Sequence, residues 1–213
     1  MLAWVVEAAH ACPQLDDLVV ATDSEEVAQL CRQNGWNVQM TSPDLQSGTD
    51  RVHAVAQVLD ADIYVNIQGD EPLLKPQHLT ALLRPFARED VDVSTLKVRC
   101  SAENIGNPNA VKVVAAANGR ALYFSRATIP YDRDAATPTY WKHIGLYAYR
   151  KSVLNRFPAL PISTLEQNER LEQLRFLENG ISVYVEATDF DTVGVDTEDD
   201  LQRVEKILQA SGS

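Results

Sequence analysis

The first feature of this sequence that could do chemistry is an acidic turn after an apolar segment. Residues 63–67 are mostly β-branched or aromatic and predict a buried strand that stops at Gln68-Gly69-Asp70-Glu71-Pro72. In open α/β sheets, ligands bind beyond the carboxyl ends of strands. Asp70 is therefore expected where Mg²⁺ would hold phosphates, because Mg²⁺ prefers one or two carboxylates plus phosphate oxygens. The alternative is a polar turn in which Asp70 is merely solvated.

A second acidic segment follows another predicted strand end, where Val193-Gly194-Val195 leads into residues 196–200. Thr197 and Asp200 form a capping-box-like pair that would open the last helix. Asp196 would join Asp70 on a shared Mg²⁺. A capped helix is the alternative, and the two interpretations are compatible.

The third candidate segment, Gln46-Ser47-Gly48-Thr49-Asp50-Arg51, lies at a predicted strand-to-helix junction. Small residues before a helix start leave backbone N–H groups free, and these can bind a phosphate or the edge of a base. The alternative is a simple helix cap, with Thr49 as the capping residue.

Three further polar groups stand on predicted elements of the second half. Arg126 follows a hydrophobic strand and enters a long loop, where a guanidinium can bind a carboxylate bidentately or simply be solvated. His143 lies on a predicted strand, where a lone histidine is more often structural than catalytic. The charged residues of 171–180 would ordinarily form the wet face of a helix.

Alternating helix and strand patterns in the first half position these groups. Helices are predicted near 1–11, 49–59 and 76–87, and one more begins at Ser24 or Asp23 and stops at Gly35. Strands are predicted near 18–21, 36–40, 63–67 and 91–98. This alternation predicts a mostly parallel sheet covered by helices.

The second half differs. Residues 111–116 and 121–124 flank Asn118-Gly119 and predict a hairpin. A long loop over 125–141 precedes a strand at 143–149, a helix at 165–179 closed by Gly180, and a strand at 181–185. The expected fold is an α/β domain with a mostly parallel three-layer sheet and a small mixed or antiparallel lobe, and residues 1–213 are predicted to form a single domain.

The chain has 213 residues and a net charge of −11, which argues against nucleic acid as a partner. No apolar run approaches the ~18 residues of a membrane-spanning helix. The three cysteines lie far apart, which fits buried thiols in a reducing cytoplasm better than a zinc site or disulfides.

Taken in order, these segments resemble the 3-deoxy-manno-octulosonate (Kdo) cytidylyltransferases, the CMP-Kdo synthetases of lipopolysaccharide synthesis, whose fold is the nucleotide-diphospho-sugar transferase (Rossmann-like) type. The strings that carry the resemblance are Ala21-Thr22-Asp23, Gln46 to Arg51, Val65 to Pro72, Asn107-Pro108-Asn109-Ala110-Val111-Lys112, Tyr123 to Pro130, His143-Ile144-Gly145-Leu146-Tyr147, Leu171-Glu172-Gln173-Leu174-Arg175 and Gly194-Val195-Asp196-Thr197. Single strings are weak, but the collinear set is specific.

The resemblance implies that the anomeric hydroxyl of Kdo attacks the α-phosphate of CTP, giving CMP-Kdo and pyrophosphate. It implies a Mg²⁺-dependent cytoplasmic homodimer in which Asp70 and Asp196 are the catalytic residues and the metal ligands. The residues implied for cytidine are Gln46, Ser47, Gly48, Thr49 and Arg51. The residues implied for the sugar acid are Gln68, Arg126, His143, Tyr147, Glu172 and Gln173.

One departure from the family is plain. Members begin with a strand and a basic loop of the type Pro-Ala-Arg-x-x-Ser-x-Arg-Leu-Pro-Gly-Lys-Pro-Leu, whereas Met1-Leu2-Ala3-Trp4 reads as the middle of the first helix. We therefore expect an N-terminally truncated reading frame, with poor folding and little turnover if the chain truly begins at Met1. Two other functions stay open: a related sugar-acid cytidylyltransferase, and a non-catalytic truncated scaffold of the same fold.

Overall fold

A computed structural model describes residues 1–136, 138–195 and 197–211. The chain divides into two compact units, the first made of Met1–Thr80 with Thr192–Ser213 and the second of Ala81–Asp191. The expectation of a single domain stays a prediction. Among the described residues, no helix is both long enough and apolar enough to cross a membrane.

The helices and strands follow one another as the patterns predict over most of the chain. The α-helices are α1 Leu2–His10, α2 Glu25–Asn34, α3 Gly48–Ala56, α4 Pro76–Leu83, α5 Ala102–Ile105, α6 Lys151–Arg156, α7 Thr164–Glu169, α8 Gln173–Glu178 and α9 Glu198–Ser211. The strands are β1 Val20–Thr22, β2 Val38–Met40, β3 Ile63–Asn66, β4 Val93–Arg99, β5 Lys112–Ala115, β6 Ala121–Ser125, β7 Trp141–Arg150 and β8 Val183–Ala187. Short 3₁₀ turns span Arg84–Ala87 and Phe157–Ala159.

The first unit confirms the predicted ends of α2. The Ser24 hydroxyl accepts the Val27 N–H at 3.3 Å, and Gly35 ends the helix with a φ of 71°, a left-handed conformation that glycine adopts without strain. Strands β1 and β2 pair in parallel, with Val20 opposite Val38. Parallel strands joined by a helix are the unit that the alternating sequence pattern predicts.

Helix α3 corrects the predicted cap. It begins at Gly48, and the hydroxyl of Ser47, rather than that of Thr49, accepts the Asp50 N–H at 3.2 Å. Ser47 has an extended backbone, as a capping residue requires, whereas Thr49 is already helical and 1% exposed.

The second unit is built on a sheet of mixed orientation in which β6, β5, β7, β4 and β8 are neighbours in that order. Strands β4 and β8 pair in parallel, whereas β4–β7, β5–β7 and β5–β6 are antiparallel. The α/β class is therefore confirmed, and the sheet of this unit has the mixed orientation that the sequence predicted for a smaller lobe. The hairpin of β5 and β6 is confirmed, with Gly119 at a φ of 86° in its turn.

The predicted helix at 165–179 is wrong as a continuous element, because the chain forms α7 and α8 with Arg170 between them at a φ of 54°. The Ser163 capping box starts α7 through Glu166. The Glu166 carboxylate also accepts the Arg175 Nε–H at 2.8 Å, which ties α7 to α8. An ion pair therefore spans the break between the two helices.

Candidate active site

The predicted metal acid Asp70 lies in the first unit, in the turn after β3. It is half-buried, and its backbone oxygen accepts the Val195 N–H at 3.0 Å. A Cβ on Gly194 would lie 3.6 Å from Glu71 Oε1, an ordinary contact distance. The two acidic segments predicted from sequence therefore meet through the turn at Asp70 and the residues just before 196. Asp196 itself lies outside the described residues.

A Mg²⁺ ion fits the donor type offered at this turn. Among residues 1–136, 138–195 and 197–211, no group of three or more histidine, cysteine or acidic side chains is arranged to enclose a metal. An all-protein cage is not what Mg²⁺ requires, because it keeps waters and binds one or two carboxylates with substrate phosphates. The half-buried Asp70 carboxylate at a strand end is a donor of that kind.

The start of α3 packs tightly against the end of β3. A Cβ on Gly48 would lie 2.7 Å from Gln68 Nε2 and 3.2 Å from Asn66 Nδ2, closer than real Cβ contacts allow at the first atom. The Gln68 amide donates to Asn66 Oδ1 at 3.1 Å. Glycine at 48 therefore lets two amide side chains approach the helix start, and Gln68, implied for the sugar acid, lies beside residues implied for cytidine.

Arg51 holds neighbouring segments of the first unit together. Its guanidinium donates to the Asp23 carboxylate at 2.9 Å and to the Thr41 hydroxyl at 2.7 Å. The bond from Arg51 lowers the pKa of Asp23 below its usual range. Gln46 is exposed, and its amide donates to the Asp44 backbone oxygen at 2.7 Å.

Arg126, in the second unit, donates hydrogen bonds to three backbone oxygens. Its Nε donates to the Glu169 oxygen at 2.8 Å, and its terminal nitrogens reach the oxygens of Pro108 at 3.1 Å and Arg170 at 3.4 Å. The Glu169 carboxylate accepts the Arg126 backbone N–H at 2.9 Å and the Ser125 hydroxyl at 2.6 Å. A guanidinium has five N–H donors, so two remain for a ligand.

A buried lysine supports the same loop. Lys112 is 0% exposed, and its ammonium donates to the oxygens of Asn107 at 2.7 Å and Ala110 at 2.6 Å. Burial lowers its pKa. Together Lys112 and Arg126 fix the Asn107-Pro108-Asn109-Ala110 segment through its carbonyls.

His143 on β7 is 8% exposed, and its Nε2 lies 2.9 Å from Thr95 Oγ1 on β4. Burial, helped by the adjacent Lys142 charge, lowers its pKa to about 3. The ring packs against Phe124 and Tyr147 at centroid distances of 5.0 and 5.5 Å. Burial, followed by the nearby Tyr149 and Glu172, raises the pKa of Tyr147. These two groups are therefore a neutral imidazole and a neutral phenol.

Glu172 and Gln173 stand at the start of α8, in the same unit as Arg126 and His143. Gln173 is 5% exposed and Glu172 is half-buried. Arg175, one turn on, stacks over the Phe157 ring at 4.4 Å while it binds Glu166. The start of α8 therefore holds two of the residues implied for the sugar acid.

Sequence reasoning missed three residues that hold the predicted ones: Asn66 beside Gln68, Glu169 on the Arg126 backbone, and Thr95 on His143. Asn66 and Glu169 lie in or next to the recognised strings, but the strings carry no sign of which side chain supports which. Thr95 lies on a strand that reads as ordinary β-branched core, and its contact joins residues 48 positions apart.

Comparisons with known proteins agree over almost the whole chain. A family model described as "Cytidylyltransferase" matches residues 1–190. The 3-deoxy-manno-octulosonate cytidylyltransferase of Acidobacterium capsulatum is 62% identical over 98% of this chain and 85% of its own length. The protein of the same name from Koribacter versatilis is 57% identical over 99% of this chain and 80% of its own length.

A solved structure gives the same answer for the fold. The structure of CMP:2-keto-3-deoxy-manno-octonic acid synthetase complexed with CTP superposes with a TM-score of 0.94 at 39% identity. The match covers 99% of this chain and 88% of that one. The Rossmann-like nucleotidyltransferase fold expected from the sequence is confirmed.

Proposed function

This chain belongs to the cytidylyltransferase family, and on that premise we propose how its residues divide the work of making CMP-Kdo from CTP and Kdo. The chain is a nucleotidyltransferase: the Kdo hydroxyl attacks the α-phosphate of CTP, and pyrophosphate leaves. The observation that carries this assignment is the match to Kdo cytidylyltransferases over 98–99% of the chain. A different sugar acid is less well supported, because both relatives carry the Kdo name.

The first unit supplies the nucleotide side. Ser47, Gly48 and Thr49 open α3, whose positive dipole end suits the base or a phosphate. Gln46 and Arg51 complete the set for cytidine. The close approach of Gln68 to Gly48 leaves no room for a side chain at position 48.

Asp70, with Asp196, would hold Mg²⁺. When bound, the ion neutralises phosphate charge and lowers the pKa of a hydroxyl it contacts. The protein residues then have to position substrates rather than supply a strong base, which suits a reaction of phosphoryl-transfer type.

The second unit supplies groups for the sugar acid, namely Arg126, His143, Tyr147, Glu172 and Gln173. Arg126 keeps two N–H donors for the carboxylate, and the neutral His143 and Tyr147 suit hydroxyl groups. The proposal includes a homodimer that acts in the cytoplasm for lipopolysaccharide biosynthesis.

The test is pyrophosphate release from CTP in the presence of Mg²⁺ and either Kdo or sialic acid. We expect release with Kdo, strong dependence on Mg²⁺ and little release with sialic acid. Equal release with both acids would contradict the Kdo assignment. If no sugar acid supports release, and calorimetry with CTP and Mg²⁺ gives no saturable heat, the chain is a scaffold rather than an enzyme.

A further inference from the structure

The strand that carries His143 has an irregularity opposite Thr95. In the pairing of β4 with β7, Thr95 lies opposite Tyr147 but the next residue, Leu96, lies opposite Ile144. Two residues of β7, Gly145 and Leu146, are therefore extra at this point. Such bulges release carbonyl groups from the ladder and re-aim side chains, and they often occur beside active sites.

The Thr95 hydroxyl fills the gap left by this bulge. Its Oγ1 lies 2.8 Å from the Leu146 oxygen, 3.1 Å from the Ile144 oxygen and 2.9 Å from His143 Nε2. A hydroxyl has one proton to donate, and a carbonyl oxygen can only accept. With the Thr95 proton on the Leu146 oxygen, the shorter of the two carbonyl contacts, Oγ1 is an acceptor for His143 Nε2–H in the third contact.

A proton on Nε2 leaves Nδ1 of His143 as the acceptor nitrogen. Burial and Lys142 keep the imidazole neutral by lowering its pKa to about 3, and a neutral ring protonated at Nε2 has a lone pair on Nδ1. Among the described residues, none forms a hydrogen bond with Nδ1. Nδ1 is also not one of the fully buried polar atoms without a partner, so it keeps some exposure. Phe124 and Tyr147 pack against the ring and limit its rotation.

We propose that Thr95 is a positioning residue that locks His143 as the Nε2–H tautomer, so that Nδ1 accepts a hydrogen bond from a hydroxyl of the sugar acid. The sugar-acid part rests on the proposed function; the tautomer part rests on the free protein. An acceptor nitrogen repels a carboxylate and receives an O–H donor. His143 thus binds a hydroxyl group of the sugar acid, and the carboxylate of the sugar acid is bound by a positively charged group instead.

The tautomer is measured in the unliganded chain by two-dimensional NMR of ¹⁵N-histidine, with His143→Gln identifying the relevant signals. We expect the Nε2–H pattern in the parent and a mixed or Nδ1–H pattern in Thr95→Val, which keeps the shape but has no hydroxyl. Thr95→Ser should restore the parent pattern. An Nδ1–H or charged ring in the parent, or an unchanged pattern in Thr95→Val, overturns the proposal.

The same variants are then compared in the pyrophosphate assay. Thr95→Val should raise the KM for Kdo about tenfold and leave the KM for CTP within about twofold, while Thr95→Ser stays close to the parent. Ser94→Ala is the matched control, because the Ser94 hydroxyl on the same strand is buried and without a partner among the described residues. Equal effects of Thr95→Val on both substrates would overturn the substrate role.

The two hypotheses fail separately. If no sugar acid supports pyrophosphate release by the parent, the proposed function fails. The NMR pattern still decides whether Thr95 sets the tautomer of His143. If the parent is active and the tautomer is as expected but the KM for Kdo does not respond to Thr95→Val, only the contact with the sugar hydroxyl is lost.

Discussion

Replacing His143 by glutamine should make this protein more resistant to acid. His143 is buried on β7 with a folded-state pKa of about 3, whereas an unfolded histidine titrates near ~6.5. Between these values the unfolded chain binds a proton that the folded chain does not, so the parent loses stability as the pH falls below ~6.5. Glutamine does not take up a proton in this pH range, and its amide nitrogen can take the place of Nε2 beside Thr95.

The size of the effect follows from the two pKa values. pH 5 lies ~1.5 units below the pKa of the unfolded histidine, so the unfolded chain is protonated there while the folded one is still neutral. This difference lowers the unfolding free energy of the parent by about 2 kcal/mol relative to pH 7.5. For a chain of this size, that corresponds to a melting-temperature difference of roughly 4–8 °C. Above ~pH 6.5 the contribution vanishes.

The assay is urea unfolding followed by circular dichroism at pH 7.5 and pH 5.0 for the parent and His143→Gln. The quantity of interest is the change in the parent-minus-variant difference between the two pH values, because carboxylate titrations shared by both proteins cancel. We expect the variant to gain about 2 kcal/mol on the parent at the lower pH. The same difference at both pH values would refute the buried, neutral state of His143.

Four further substitutions test other parts of the structure. Asp70→Asn should abolish turnover with an unchanged melting temperature; activity within a few-fold of the parent would exclude a metal role. Arg126→Ala should raise the KM for Kdo far more than that for CTP and cost about 1–3 kcal/mol of stability, because three backbone carbonyls lose a donor. Arg175→Met, at a pair with side chains 14% and 13% exposed, should cost about 3 kcal/mol, whereas Arg32→Met, at a pair 54% and 59% exposed, should cost under ~1 kcal/mol. Equal melting temperatures for these last two variants would contradict the burial argument.

Local signals in the sequence predicted much of the fold. A capping serine and a glycine gave both ends of α2, and Asn118-Gly119 between alternating segments gave the hairpin. These features depend on residues adjacent in the chain. The break at Arg170 could not be predicted in this way, because it accompanies the ion pair of Glu166 with Arg175 from the next helix.

The candidate site shows the same division. The types and order of the residues indicated a nucleotidyltransferase, and Asp70 follows the end of β3 while His143 lies on β7, as the patterns predicted. What holds each group was not predictable: the Thr95 contact depends on a bulge in β7, and the anchoring of Arg126 depends on the turn between α7 and α8. Such contacts join distant residues and leave no periodic trace.

The burial of Lys112 makes it a natural reporter of opening in the second unit. An ammonium enclosed by main-chain oxygens is shielded from amine-reactive reagents, which modify exposed lysines first. Mass-spectrometric labelling at this one side chain would therefore report transient local unfolding of the strand that bears it, even while the rest of the protein stays folded.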